Sequence, residues 1–265
     1  MHSPSSFDYS AALSQCLLQQ NSNIARHTLA NGEKVWVRRA GARNPAWRYR
    51  LLGGVARVLR LGVLTPVSNL GGAAGIATEA ARLQALAAAG INVPPLLVLQ
   101  QDALMMGSIG QRNLLDEMRH QIQSPPVLLQ RWQLGLEAIA QVHQHGQYLS
   151  QAFARNLMYA EQQIGFIDFE DDPGSVLPLP LCQARDWLCY LHSSARLLQE
   201  AGVLDQAVPI WQAAMAAETA SVHRPVAQAL RRLRPLHRLQ ARFWGNDTLR
   251  LAAMAHFASP YSQTC

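Results

Sequence analysis

The side chains in this sequence best suited to chemistry lie in one stretch, VHQHGQYLSQAFARNLMYAEQQIGFIDFEDDPG, residues 142–174. Asn156 and Asp168 both carry hard oxygen atoms, and the residues between them leave room for one β-hairpin. Such a hairpin sets its two ends side by side, so that two oxygen-bearing side chains twelve residues apart can meet. Glu170, Asp171 and Asp172 follow, so the compact apolar run IGFIDF ends in a strongly acidic segment. Taken alone, that segment equally fits a solvated turn after a buried strand, and Asn156 an ordinary turn or cap residue.

The elements that must position these groups are legible upstream and downstream. IARHTL (24–29) and KVWVRR (34–39) are β-prone runs separated by Ala-Asn-Gly-Glu, and Asn-Gly is the strongest short-range hairpin signal. An arginine-rich stretch, 41–63, and a loop, TPVSNLGGAAG, precede a helical pattern from Ile76 to Ala89 that Gly90 closes. INVPPLLVLQ and DALMMGSIG read as two more strands. From about Arg112 onward the apolar residues recur with helical periodicity, interrupted by the irregular stretch 146–163 and by IGFIDF. Strands followed by helices describe an α+β chain in two parts, 1–110 and 111–265, with the change near Gly107 to Gly110.

With these elements in order, the chain resembles the protein-kinase-like superfamily, and within it the bacterial lipopolysaccharide-kinase-like branch. That branch has a helix ending in LHxxG, a loop HGDxxxxN and a strand leading to IDFE, which VHQHG, Asn156 and IDFE (residues 167–170) echo. The resemblance implies a two-lobed fold, with an antiparallel sheet and one main helix in the small lobe and a helical second lobe. It also implies Mg²⁺-ATP-dependent phosphoryl transfer to a hydroxyl of a sugar, lipid or small molecule, with Asn156 and Asp168 as metal ligands. The position five residues before Asn156, where the family has its catalytic aspartate, holds Gln151, which cannot accept a proton. VWVR stands for VAIK, placing Arg38 where a phosphate-holding lysine is expected, with Glu79 as its helix partner. Lys34, four residues earlier and on the same strand face, is a second and poorly placed substitute. The phosphate-covering loop expected between the first two strands reads QQNSN and has no glycine. By the same resemblance Arg185 and Asp186 form a buried pair near the catalytic loop, while His143 and Trp187 belong to core packing.

Composition limits the remaining classes. The formal charge of +6 is carried by arginine, since Lys34 is the only lysine. Cys16, Cys182, Cys189 and Cys265 show no CxxC spacing, and no His and Cys cluster suits zinc, so reduced thiols in a reducing compartment are expected. No apolar run approaches the roughly 20 residues of a membrane-spanning helix, and the N-terminus lacks a secretory pattern, which predicts a cytoplasmic protein. Seven arginines fall within 38–60 and seven within 224–250, interleaved with apolar residues. These read as basic amphipathic surfaces suited to the anionic inner-membrane surface, or as helices that bury their apolar side and solvate their charges. No recognised nucleic-acid-binding motif is present, so no nucleic-acid partner is expected. Two functions compete: an atypical Mg-ATP phosphotransferase, and a catalytically silent pseudokinase-type module that binds a nucleotide or a partner. Gln151 favours the second.

Overall fold

The computed structural model describes residues 7–41, 71–235 and 246–258. Its first element is one the hydrophobic pattern does not announce, helix α1 (Tyr9–Gln19). Asp8 caps it, its carboxylate accepting from the backbone N–H of Ser10 and Ala11 at 3.0 Å each. The hairpin follows as β1 (Ile24–Thr28) and β2 (Lys34–Arg39), in register from Ile24 opposite Arg38 to Thr28 opposite Lys34. Its turn passes through Gly32 at φ +82°, a left-handed conformation that glycine enters without a Cβ clash. Helix α2 (Gly72–Ala88) starts four residues before the expected Ile76 and ends at Gly90, with Ile91 N–H returning to Leu86 O at 3.0 Å. Strands β3 (Leu96–Leu99) and β4 (Ala103–Gly107) complete an antiparallel sheet ordered β1-β2-β4-β3.

One element is not where the resemblance puts it. QQNSN joins α1 to β1 and has no strand before it, so it is not a loop between the first two strands. The turn between β1 and β2 is Leu29–Glu33, which does contain a glycine.

Beyond Gly107 come β5 (Arg112–Asn113), α3 (Leu114–His120) and α4 (Pro125–Gln144). The irregular stretch that follows holds a short 3₁₀ turn, Ala154–Asn156, and β6 (Leu157–Ala160), which pairs with β7 (Gln163–Phe166) and β5 in a second small sheet. Helices α5 (Leu179–Glu200), α6 (Leu204–Ala216), α7 (Ala220–Leu233) and α8 (Asn246–Ala255) complete the described chain. The protein is thus α+β, with two small antiparallel sheets and a majority of helix.

Strand alternation decides what each sheet face covers. Val35, Val37, Ala103 and Met105 point one way and pack with Leu13 and Cys16 of α1. Leu104 and Met106 point the other way, with Trp36 beside them, and join Ile76, Ala80, Leu83 and Leu86 of α2. This second core continues without a break into Leu114, Trp132, Leu136, Trp187 and Tyr190 of the helical part. Each of these leucines, fully buried, contributes about 2 kcal/mol. The face carrying Trp36 also carries Arg38, which is how the main core and the candidate site come to share one side of the sheet.

The arginine-rich surfaces resolve unequally. Arg38 and Arg39 of the first stretch are described, while residues 42–70 and 236–245 lie outside the described residues. In the second stretch, α7 buries Val222, Val226, Leu230 and Leu233 against the body of the protein. Its apolar side is therefore occupied by the core rather than offered to lipid. Among the described residues, no helix is long and apolar enough to cross a membrane.

Candidate functional site

Arg38 sits near the end of β2, opposite Ile24 of β1 and Leu104 of β4. Glu79 lies on the buried side of α2 with Ala80, Leu83 and Leu86, and its side chain is 1% exposed. The two meet as an ion pair, Arg38 Nε to Glu79 Oε2, at 3.1 Å. The same guanidinium stands 3.8 Å from Asp168 Oδ1 and in direct contact with Glu170. One cation therefore faces three carboxylates. Glu79 also accepts a hydrogen bond from the backbone N–H of Phe169, which ties α2 to the segment that carries Asp168 and Glu170.

The β6–β7 hairpin does what its length suggests. Leu157 pairs with Phe166, and the Ile167 N–H then bonds Asn156 O at 3.0 Å, so the residues flanking the two strands are adjacent. Asp168 has φ +72°, a left-handed conformation that Asp and Asn enter more readily than most residues. Asn156 Nδ2 donates to Asp168 Oδ2 at 3.2 Å and to the backbone oxygen of Gln151 at 3.0 Å. Both amide protons are spent in this way, which leaves Asn156 Oδ1 as the atom with capacity for a cation.

Gln151 is held in the same cluster, its Nε2 donating to Asp171 Oδ2. The loop carrying it is anchored from three directions. Asp186, fully buried on α5, accepts from Leu149 N–H at 2.7 Å. Arg82 of α2 donates to Tyr148 O at 2.7 Å and lies 3.9 Å over the Tyr148 ring. Tyr148 Oη in turn donates to Asp172 Oδ1 at 2.5 Å. Gly174 lies beside that contact, and a Cβ there would come within 2.2 Å of Tyr148 Oη and displace the ring from Asp172.

The Arg38 and Asn156 groups open onto a cleft of about 410 Å³, a size suited to a small organic ligand, which Gln151 does not line. Arg38, Glu79, Asn156, Asp168 and Glu170 form its polar end, and Trp36, Met106, Met158 and Ile167 its apolar walls. Lys34 does not line it. Although Lys34 shares a strand face with Arg38, four residues of strand separate them by about 13 Å, and Lys34 lines a neighbouring cavity. Asn23, the last residue of QQNSN, reaches a smaller crevice that Arg38, Glu170 and the first glycines of α2 share.

Burial pushes the Glu79 carboxyl up to about 7, with Arg38 opposing the shift and Asp168 adding to it. A second charge cluster lies deeper; of its members, the sequence assigns His143 and Trp187 to packing and Asp186 to a buried pair with Arg185, whereas Asp186 Oδ2 bonds His143 and Leu149 N–H. His143 on α4 bonds Glu218 Oε1 through Nδ1 at 2.7 Å and Asp186 Oδ2 through Nε2 at 3.2 Å. Trp187 Nε1 donates to the same Glu218 oxygen at 2.8 Å. Burial works against the charged imidazole, but the hydrogen bonds to Asp186 and Glu218 outweigh it and raise its pKa. His143 and Trp187 are buried, as core residues are, yet both are polar members of a network. No spacing in the sequence links them to Glu218, which lies 75 residues from His143.

No protein-family model matches the chain, and no curated protein matches it.

Proposed function

We propose that the cleft binds a nucleotide and that the protein is an atypical kinase-like phosphotransferase, slow for want of a general base and acting on a hydroxyl of a sugar, lipid or small molecule. The observation that carries this reading is the meeting of Asn156 and Asp168 beside the Arg38–Glu79 pair, at the polar end of an apolar-walled cleft.

The donor set suits Mg²⁺. Asn156 Oδ1 and the Asp168 carboxylate are hard oxygen ligands, and Glu170 is a second carboxylate close to the same place. Among the described residues no group of three His, Cys, Asp or Glu side chains could hold a metal alone. An ion there would complete its shell with ligand oxygens such as phosphate. When bound, Mg²⁺ supplies charge neutralisation for phosphoryl transfer. The chain's own residues do the rest. Trp36, Met106, Met158 and Ile167 take the apolar body of the nucleotide, ATP by this reading. Arg38, steered by Glu79, presents a planar fork to phosphate oxygens. Gln151 can orient an acceptor hydroxyl through its amide but cannot take its proton.

A second reading, the silent module, is favoured by a specific feature. Arg38 is already engaged by three carboxylates and Gln151 by Asp171, so the groups that would meet a ligand are held by the protein's own side chains. A thermal-shift titration with ATP and Mg²⁺ tests both. A ligand that binds only the folded state must raise the midpoint, by the equivalent of about 2.7 kcal/mol at a hundredfold excess over Kd. A shift lost in Asp168→Ala supports the nucleotide reading, and no shift at millimolar Mg-ATP overturns it. Measurable phosphate release by the wild type then separates the enzyme from the silent module.

A further inference from the structure

Beside the cleft lies a second and larger cavity, about 820 Å³, which Lys34, the chain's only lysine, helps to line. The two share Gly107, Ile109 and Gly110 as a common wall. Arg26 of β1 and Lys34 of β2 line the same cavity. The register puts Arg26 opposite Trp36 and Thr28 opposite Lys34, so Arg26 and Lys34 are diagonal neighbours on one sheet face, about 7–8 Å apart. Among the described residues neither has a hydrogen-bond or ion-pair partner. The other charges here are committed: Arg112 holds Glu117 at 3.0 Å, and Glu33 accepts from Tyr9 Oη at 2.7 Å. Glu33 and Glu117 line the cavity as well, but neither is ion-paired with Arg26 or Lys34, and an anion seated between these two cations relieves their mutual repulsion. Tyr159, with the Arg131 guanidinium 4.9 Å over its ring, gives the opposite side an aromatic surface.

We infer that this cavity binds a small organic anion, a phosphate or carboxylate on an apolar or aromatic body, with Lys34 and Arg26 taking the charged group and Ile109 and Tyr159 the body. The site stands apart from the polar end of the cleft and rests on no part of the nucleotide reading. It gives Lys34, which the cleft leaves out, a role as the compact cation of a second site.

Isothermal titration of the full-length chain at low ionic strength, without nucleotide, tests it with phenyl phosphate, benzoate and phenol as probes. Phenyl phosphate or benzoate should bind with one-to-one stoichiometry and phenol should not. The stronger of the two anions identifies the group recognised. Lys34→Ala and Arg26→Ala should each weaken binding about tenfold, as loss of a charge-assisted hydrogen bond does, and Lys34→Glu should abolish it. Both positions are exposed and unpartnered, so these variants should fold normally. Asp168→Ala should leave the affinity unchanged. Failure of both anions to bind, equal binding by the Arg26→Ala/Lys34→Ala double variant, or loss of binding in Asp168→Ala would each overturn the assignment, the last by moving the anion into the cleft.

Discussion

Among the described residues a cation held among carboxylates appears in a sealed form at His143 and in an open form at Arg38. At His143 the imidazole is 3% exposed and its partners Asp186 and Glu218 are 0% and 10% exposed. At Arg38 the guanidinium is 13% exposed, but Asp168 and Glu170 are 33% and 36% exposed. A sealed cluster cannot exchange a member for a ligand, so its worth is architectural: it joins α4, α5 and the start of α7 and holds the backbone at Leu149. An open cluster can trade one contact for another, because water or a ligand can take over each exposed carboxylate oxygen. The same arrangement of charges therefore fixes a loop in one place and leaves room for binding in the other.

The contrast is sharpest in stability. Removing one partner of a buried ion pair strands the other charge and costs about 3–5 kcal/mol. Asp186→Ala should lose that much in denaturant unfolding, since it uncovers His143 and frees Leu149 N–H together. Asp168→Ala should change stability by no more than about 1 kcal/mol, as expected for a part-exposed pair, while abolishing the Mg-ATP thermal shift. If Asp168→Ala destabilises as much as Asp186→Ala, the two clusters do not differ in kind and the cleft is architecture.

A smaller effect distinguishes them by pH. The Glu79 carboxyl, raised to about 7 from an ordinary 4.5, favours the folded state fully below the ordinary value, and that contribution is lost as pH rises through about 7. His143, also raised, follows the same sign: its contribution is complete below 6.5 and lost as pH climbs past its elevated pKa. Glu79→Gln should therefore flatten the fall in stability between pH 5 and 7.5, measured as the difference in unfolding free energy from wild type. An unchanged slope would mean that Glu79 is ionised throughout that range.

How much of this was legible beforehand follows from range along the chain. Asn-Gly between two β-prone runs fixes the hairpin, and the helical periodicity before Gly90 fixes α2, because both signals are local. The pairing of Arg38 with Glu79 came from the kinase-like resemblance, and that of Asn156 with Asp168 from the same resemblance together with hairpin length. Helix α1 escaped notice because its apolar stripe is interrupted by Ser and Gln, and with it went the true setting of QQNSN. The His143 network escaped for a different reason. Its partners are 43 and 75 residues away, and nothing in the sequence records which helices meet. The involvement of Glu170 was half visible, as an acid near the metal position, but that it would engage Arg38 depends on the left-handed turn at Asp168.

The smallest expected effect decides between enzyme and silent module. Gln151 donates to Asp171 and its carbonyl cannot serve as a base, so Gln151→Asp restores a carboxylate five residues before Asn156 but sets it against Asp171. Two like charges at that separation cannot both ionise easily, and one of them would hold a proton near neutral pH. A restored base of this kind is worth about 10²–10⁴-fold in an optimised site. With Asp171 opposing it and Arg38 still shared among three carboxylates, a gain of about tenfold in phosphate release is expected, with nucleotide affinity unchanged. The gain should be larger in the Gln151→Asp/Asp171→Asn double variant, where the repulsion is gone. If neither variant releases phosphate although both still give the Mg-ATP thermal shift, the cleft binds without transferring, and the protein is the silent module. If the wild type already turns over at about 1–100 s⁻¹, the base is elsewhere, and Asp171, 8% exposed and bonded to Gln151, is the first residue to replace.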